Sequence, residues 1–156
     1  MVEFALVAPV FFALLFAIIE TALMFFASQV LETITQNSAR MIVTGQAQTQ
    51  AYTATQFKTY VCGQIPALFS CNSLYVDVES YPSFSSITLS TQIDANGNFV
   101  NNFTYQPGGP GDIVVVRLFY QYPVYVSLLG FNLSNVNGGK RLLAATAAFR
   151  NEPYAN

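Results

Sequence analysis

The residues able to do chemistry are few, and the missing types narrow the function first. The 156-residue sequence has no histidine, which removes Ser-His-Asp and Cys-His catalysis, His-ligated zinc and the ordinary near-neutral proton shuttle. Its only cysteines, Cys62 and Cys71, are separated by eight residues. Zinc would need further ligands, and dithiol redox chemistry a C-x-x-C spacing. Two carboxylates, Glu3 and Glu20, stand in or beside an apolar run, where an ionised group is costly and usually has a partner or a function. Asp77 and Glu79 alternate with Val76 and Val78, as the solvated face of a sheet does. The run Gly108-Gly109-Pro110-Gly111 lacks the strand-before, helix-after context of a phosphate cradle. Asn102-Phe103-Thr104 and Asn132-Leu133-Ser134 fit the N-glycosylation pattern, which says only that they lie in surface loops. These residues point away from an enzyme, and the expectation is no cofactor, no metal and no small-molecule substrate.

Composition moves the question to the solvent. The chain is 53% hydrophobic and 9% charged, against about 25% charged in a soluble domain. A net charge of -2 and a pI near 4.8 leave no basic patch for nucleic acid. From Phe4 to Ile19 no side chain is polar, and after Glu20 and Thr21 the run resumes from Ala22 to Ala27. These residues form a helix of about 36 Å, enough to cross a hydrocarbon core of about 30 Å with tilt. Three readings compete for it. A signal peptide would carry a basic start and a shorter apolar stretch; a plain anchor fits the length but leaves Glu3 and Glu20 unexplained. An assembly helix packs against copies of itself or relatives on leaving the membrane.

Past Ala27 the pattern narrows to one stripe, Val30, Leu31, Ile34, Met41 and Ile42 with Ser38 in the gap, while Gln29, Glu32, Thr33, Gln36, Asn37 and Arg40 fall elsewhere on the wheel. Gly45 is a natural C-terminal stop. The pattern predicts one helix from about residue 4 to about 43, near 60 Å long, with a bend or local opening at Pro9. Residues 1–45 are thus the membrane or assembly segment, and 46–156 an extracytoplasmic β-rich domain.

That domain should begin with a short helix around Thr53 to Val61. Behind a membrane span, Cys62 and Cys71 point to a disulfide bracing the loop before the first strand, contributing about 2–3 kcal/mol. Strands are expected at Leu74–Glu79, at Ser86–Ile93, at Ile113–Tyr122 as the strongest, and from about Lys140 to Arg150 after the turn signal Asn137-Gly138-Gly139. Pro123 ends the third or places its continuation on an edge. Asp94–Asp112, rich in Asn, Gly and Pro, reads as a long exposed loop or irregular hairpin. The fold class is α+β: a long N-terminal helix, one short extra helix and a small antiparallel sheet of about four strands. Nine tyrosines and fourteen phenylalanines read first as strand and core residues, and second as a sticky outer face.

The opening residues MVEFALVAPVFFALLFAIIE resemble the start of TadE-like (TadE/TadG) pseudopilins, minor pilin-like components of the bacterial tight-adherence (Flp) type IV pilus. The resemblance continues in Ser38-Ala39-Arg40 through Gln48, Val61-Cys62-Gly63, Cys71, Leu74–Val78, Pro110–Pro123 and Ala144–Tyr154. It implies a pilin-like fold, a precursor cut after a glycine by a prepilin peptidase, and a start of the present chain at or just inside the mature terminus. The implied partners are membrane lipid, other pilins or pseudopilins of the system and the pilus assembly machinery. The implied place is the inner membrane, with the head in the periplasm or the protein in an extracellular filament. By position in VEFAL, Glu3 matches the family's near-terminal glutamate, and Glu20 is a second acidic position. In a subunit stack, a neighbour's N-terminal amine would pair with Glu3 and set axial register, whereas the bland alternative leaves Glu3 hydrated at the cytoplasmic interface. Leu6, Val10, Phe11, Leu14 and Ile18 would form part of the helix-packing surface, or simply meet lipid. The competing reading is a membrane-anchored binding module outside any filament, using the aromatic sheet and the 94–112 loop.

Overall fold

The computed structural model describes residues 2–66, 69–125 and 132–153, without the side chains of Val2, Glu3 and Ala5. One helix, α1, runs from Val2 to Val43, so the two hydrophobic patterns belong to a single rod of about 63 Å. Pro9 lies inside it. The rod ends where expected: Gly45 adopts φ 74°, a left-handed conformation that glycine tolerates. Its N–H donates to the Ile42 carbonyl at 3.0 Å, and Glu152 N–H donates to the Val43 carbonyl at 3.0 Å. The last turn's unpaired carbonyls are therefore met partly by the chain's own C-terminal segment.

A one-turn helix, α2 (Gln46–Thr49), follows. Helix α3 (Ala54–Cys62) starts at a Thr53 N-cap with a reciprocal Gln56 capping box and buries Phe57 and Val61. Its last residue bonds to Cys71, with the two Cα atoms 5.6 Å apart, so the disulfide ties α3 to the 3₁₀ turn that opens the sheet.

The sheet has three antiparallel strands in sequential order: β1 (Leu74–Tyr81), β2 (Ile113–Pro123) and β3 (Lys140–Arg150). Its inner face, built from Leu74, Val78, Val114, Val116, Leu118, Tyr120, Leu143, Ala145 and Ala147, packs on Met24, Ala27, Leu31, Ile34, Ala39, Met41 and Ile42 of α1. The rod sits closest to β3, where Ala145 and Ala147 present only methyl groups and admit the helix backbone. The predicted stripe is the buried one: Leu31, Ile34, Ser38, Met41 and Ile42 are inside and Val30 half-buried, while Gln29, Glu32, Thr33, Gln36, Asn37 and Arg40 are exposed.

Three expectations are corrected. Ser86–Ile93 is not a strand, and the sheet has three strands rather than about four; the segment starts in a 3₁₀ turn, Phe84–Ser86, and joins only an isolated bridge, Ile93 to Phe99. Alternation set the expectation, but the segment finds no ladder partner. The 94–112 stretch is not simply exposed: Phe99, Phe103 and Tyr105 are half-buried, and Val78 bridges Tyr105 at the outer edge of β1. Consequently Asp77 does not face solvent. It is 1% exposed, because that stretch covers the face on which it stands.

Candidate functional site

Alongside the head α1 is a packed core helix; below the head the same helix is bare. Of the large apolar side chains that stand exposed, most lie between Phe4 and Phe26, among them Leu6 (72%), Val10 (52%), Phe11 (57%), Leu14 (57%) and Ile18 (69%). Every residue marked from the sequence for helix packing is thus presented outward. Leaving such a surface in water would cost on the order of 15 kcal/mol after allowing for partial exposure, and a monomer rarely exposes a contiguous patch of this size. Among the described residues, the helix over Leu6–Val43 is long and apolar enough to cross a membrane. Glu3 lies on the first turn of α1, its side chain outside the described residues.

Glu20 marks the junction of the bare and covered parts. It is 5% exposed, and its Oε1 accepts the Tyr125 N–H at 2.6 Å. A charged acceptor strengthens such a bond, so the carboxylate ties the rod to the chain leaving β2. Glu20 is therefore turned toward its own head. The two sequence-marked carboxylates are not brought together: Glu3 and Glu20 stand seventeen positions apart on one helix, about 26 Å along the rod.

The sheet's outer face holds the other charged cluster. Arg117 stands directly opposite Asp77 in the β1–β2 register, and its Nε and Nη2 donate to Asp77 Oδ2 at 2.9 and 2.5 Å. Nη2 also reaches Glu79 Oε1 at 3.0 Å, and Nη1 donates to the Ser90 carbonyl at 3.0 Å. Thr104 N–H donates to Asp77 Oδ1 at 2.9 Å, and the Tyr81 hydroxyl donates to Glu79. Burial pushes the Asp77 carboxyl above its ordinary value, against the pull of Thr104 N–H and Arg117. Burial and then the Glu79 hydrogen bond push the Tyr81 hydroxyl up. The cluster clamps the 86–104 segment across the sheet. Beside it Phe103 stacks on Phe119 at 5.2 Å, and Phe99 meets Tyr75 at 4.6 Å. Asp77 and Arg117 are buried at its centre, while Glu79 stands partly exposed at its edge.

Among the described residues no group of three or more carboxylates and cysteines gathers as a metal site. A model of the TadE-like protein family matches residues 1–40. The rod carries a TadE-like segment. That match covers the bare part of α1 together with most of the covered part, about a quarter of the chain. No curated protein and no solved structure matches the chain. The TadE-like match ends just before Gly45, so the functional reading of the head rests on its own geometry.

Two features of the chain were missed from the sequence. The Arg117 clamp had a signal, because Arg117 is the only charge in the run Ile113–Tyr122 and a charge in a buried strand needs a partner. The Glu20–Tyr125 contact had none, since the two lie 105 residues apart.

Proposed function

We propose that this protein is a pseudopilin or minor pilin of a Tad/Flp-type pilus, held in the bacterial inner membrane by α1 and joined to its neighbours through the same helix. One observation carries the reading: the rod's lower half is apolar on all sides and uncovered by its own head, yet continuous with a helix rigidly packed on that head. Such a rod can exchange lipid contacts for helix contacts at small apolar cost, because hydrocarbon and Leu-rich helix surfaces are alike as solvents. What distinguishes subunit from lipid is then polar. Glu3, near the start of the rod, is the residue that gains from a neighbour, since a carboxylate in hydrocarbon is unfavourable until paired. A neighbour's N-terminal amine would supply the charge and set the axial step.

In this reading the head lies on the periplasmic side, where the Cys62–Cys71 disulfide is stable, and a prepilin peptidase and the assembly machinery act on the N-terminal segment. The work is assembly, not catalysis. The test replaces Glu3 by Ala and by Gln in a cell that makes the pilus, and compares protein in the membrane with protein in sheared filaments. The expected result is an unchanged membrane pool and a loss from the filament fraction. Full filament output from Glu3→Ala would refute the pairing role. Native protein that stays in the membrane and never reaches filaments would instead be a membrane-anchored binding module.

A further inference from the structure

Where the rod meets the lower end of the sheet there is a cleft of about 470 Å³. Leu23 and Phe26 of α1 form one wall, Phe69 and Tyr122 the other, and Tyr125 and Lys140 stand at its rim. The size suits a bound small molecule or lipid fragment. Three observations say what occupies it. First, its helical wall continues the bare apolar surface: Leu23 and Phe26 are 45% and 50% exposed. Second, its depth matches a lipid interface. From Phe4, Leu23 lies about 28 Å and Phe26 about 33 Å along the rod, where a hydrocarbon core of about 30 Å gives way to headgroups. Tyr122 and Tyr125 stand there as an aromatic belt would.

Third, the rim is basic. Lys140, which lines the cleft, opens β3 opposite Pro123, while Arg141, the next residue along the strand, lies on the sheet's other face. Lys140 Nζ donates to Gln121 Oε1 at 3.0 Å, and Arg141 Nη1 to the Leu133 carbonyl at 3.1 Å. Among the described residues the salt bridges are those of Arg117, so Lys140 keeps its charge for a ligand. Glu20, the nearby carboxylate, is buried with its Oε1 turned to Tyr125 N–H.

We infer that this cleft binds one anionic phospholipid, with its phosphate at Lys140 and the upper part of an acyl chain along Leu23 and Phe26. The site rests on the membrane reading above and deepens it by naming the lipid class and the contact. It would fix the height and rotation of the head on the bilayer before a subunit is drawn into a filament.

The test reconstitutes the full chain in nanodiscs of phosphatidylcholine alone or mixed with phosphatidylglycerol, then counts lipids retained on the released protein by native mass spectrometry. Native protein should retain phosphatidylglycerol in preference to phosphatidylcholine. Lys140→Gln should lower that preference about fivefold, the effect of one cation near an anionic surface, with an unchanged circular dichroism spectrum. Lys58→Gln, which removes a charge outside the cleft, should leave the preference intact. Absence of a phosphatidylglycerol preference, a native-like Lys140→Gln, or an equal loss in Lys58→Gln would each overturn the site while leaving the anchor standing. Failure of the native chain to enter discs of either composition is a separate result, which overturns the membrane reading and the site with it.

Discussion

Replacing Arg117 by Met tests whether the outer-face clamp holds the head together. The side chain is 5% exposed and meets Asp77, which is 1% exposed, through two hydrogen bonds, with Glu79 and the Ser90 carbonyl as further acceptors. Methionine fills much of the same volume but leaves Asp77 buried without its cation. Breaking a buried pair from one side costs about 3–5 kcal/mol. For a chain of this length each kcal/mol moves the melting temperature by about 2–4 °C, so the expected drop is on the order of 10 °C. The assay is thermal unfolding of the full chain in detergent, read by circular dichroism, with hydrogen exchange over residues 86–104 reporting release of the clamped segment. The double variant Asp77→Leu/Arg117→Met should recover most of the loss, because an apolar pair can replace a buried ion pair at little cost. An Arg117→Met protein melting within about 2 °C of the native one, or a double variant no better than the single, would refute the reasoning.

Three further outcomes follow from the geometry. Glu20→Ala should destabilise the chain by about 1–3 kcal/mol, by leaving the Tyr125 N–H without its acceptor, whereas Glu20→Gln, which keeps an oxygen there, should lose clearly less; melting in detergent distinguishes them. Burial, then Tyr52, pushes the Tyr105 hydroxyl up to about 12, so the folded state keeps a proton that the unfolded chain gives up near its ordinary value of 10.0. Stability should therefore fall as pH rises from about 10 to about 12, by about 1–2 kcal/mol after discounting for partial exposure. Tyr105→Phe should flatten that slope, leaving only what the other raised tyrosines, Tyr81 and Tyr122, contribute, and, since the buried hydroxyl has no hydrogen-bond partner among the described residues, leave neutral-pH stability equal or higher; urea midpoints across that range check both. Cys62→Ser with Cys71→Ser should cost about 2–3 kcal/mol, the closure entropy of so short a ring, seen as an equal loss on reducing the native protein.

Much of the architecture was legible along the chain because its signals are local. The two hydrophobic patterns of α1, the Gly45 stop, the Thr53 start of α3, and the β-branched run at Ile113–Tyr122 are each set by neighbours within a few residues. The expected strand at Ser86–Ile93 shows the limit of that reasoning. Alternation describes a side-chain pattern, but a strand also needs a ladder partner, and the outer edge of β1 is taken by Tyr105. Asp77 shows the same limit for burial: its position in an alternating strand says which face it occupies, not whether a loop will later cover that face.

What the residues alone determined is the rod and its apolar end: sixteen consecutive apolar side chains from Phe4 to Ile19 make a helix long and apolar enough to cross a membrane, and helical spacing beyond them continues the same axis. Tertiary structure decided which carboxylate meets what. Glu20 finds Tyr125 and Asp77 finds Arg117 only when strands and loops distant along the chain fold back onto the rod and the sheet. The reason is physical: apolar burial is summed over a segment and survives any detail of packing, whereas a hydrogen bond requires two particular atoms within about 3 Å, a condition set by the whole path of the chain.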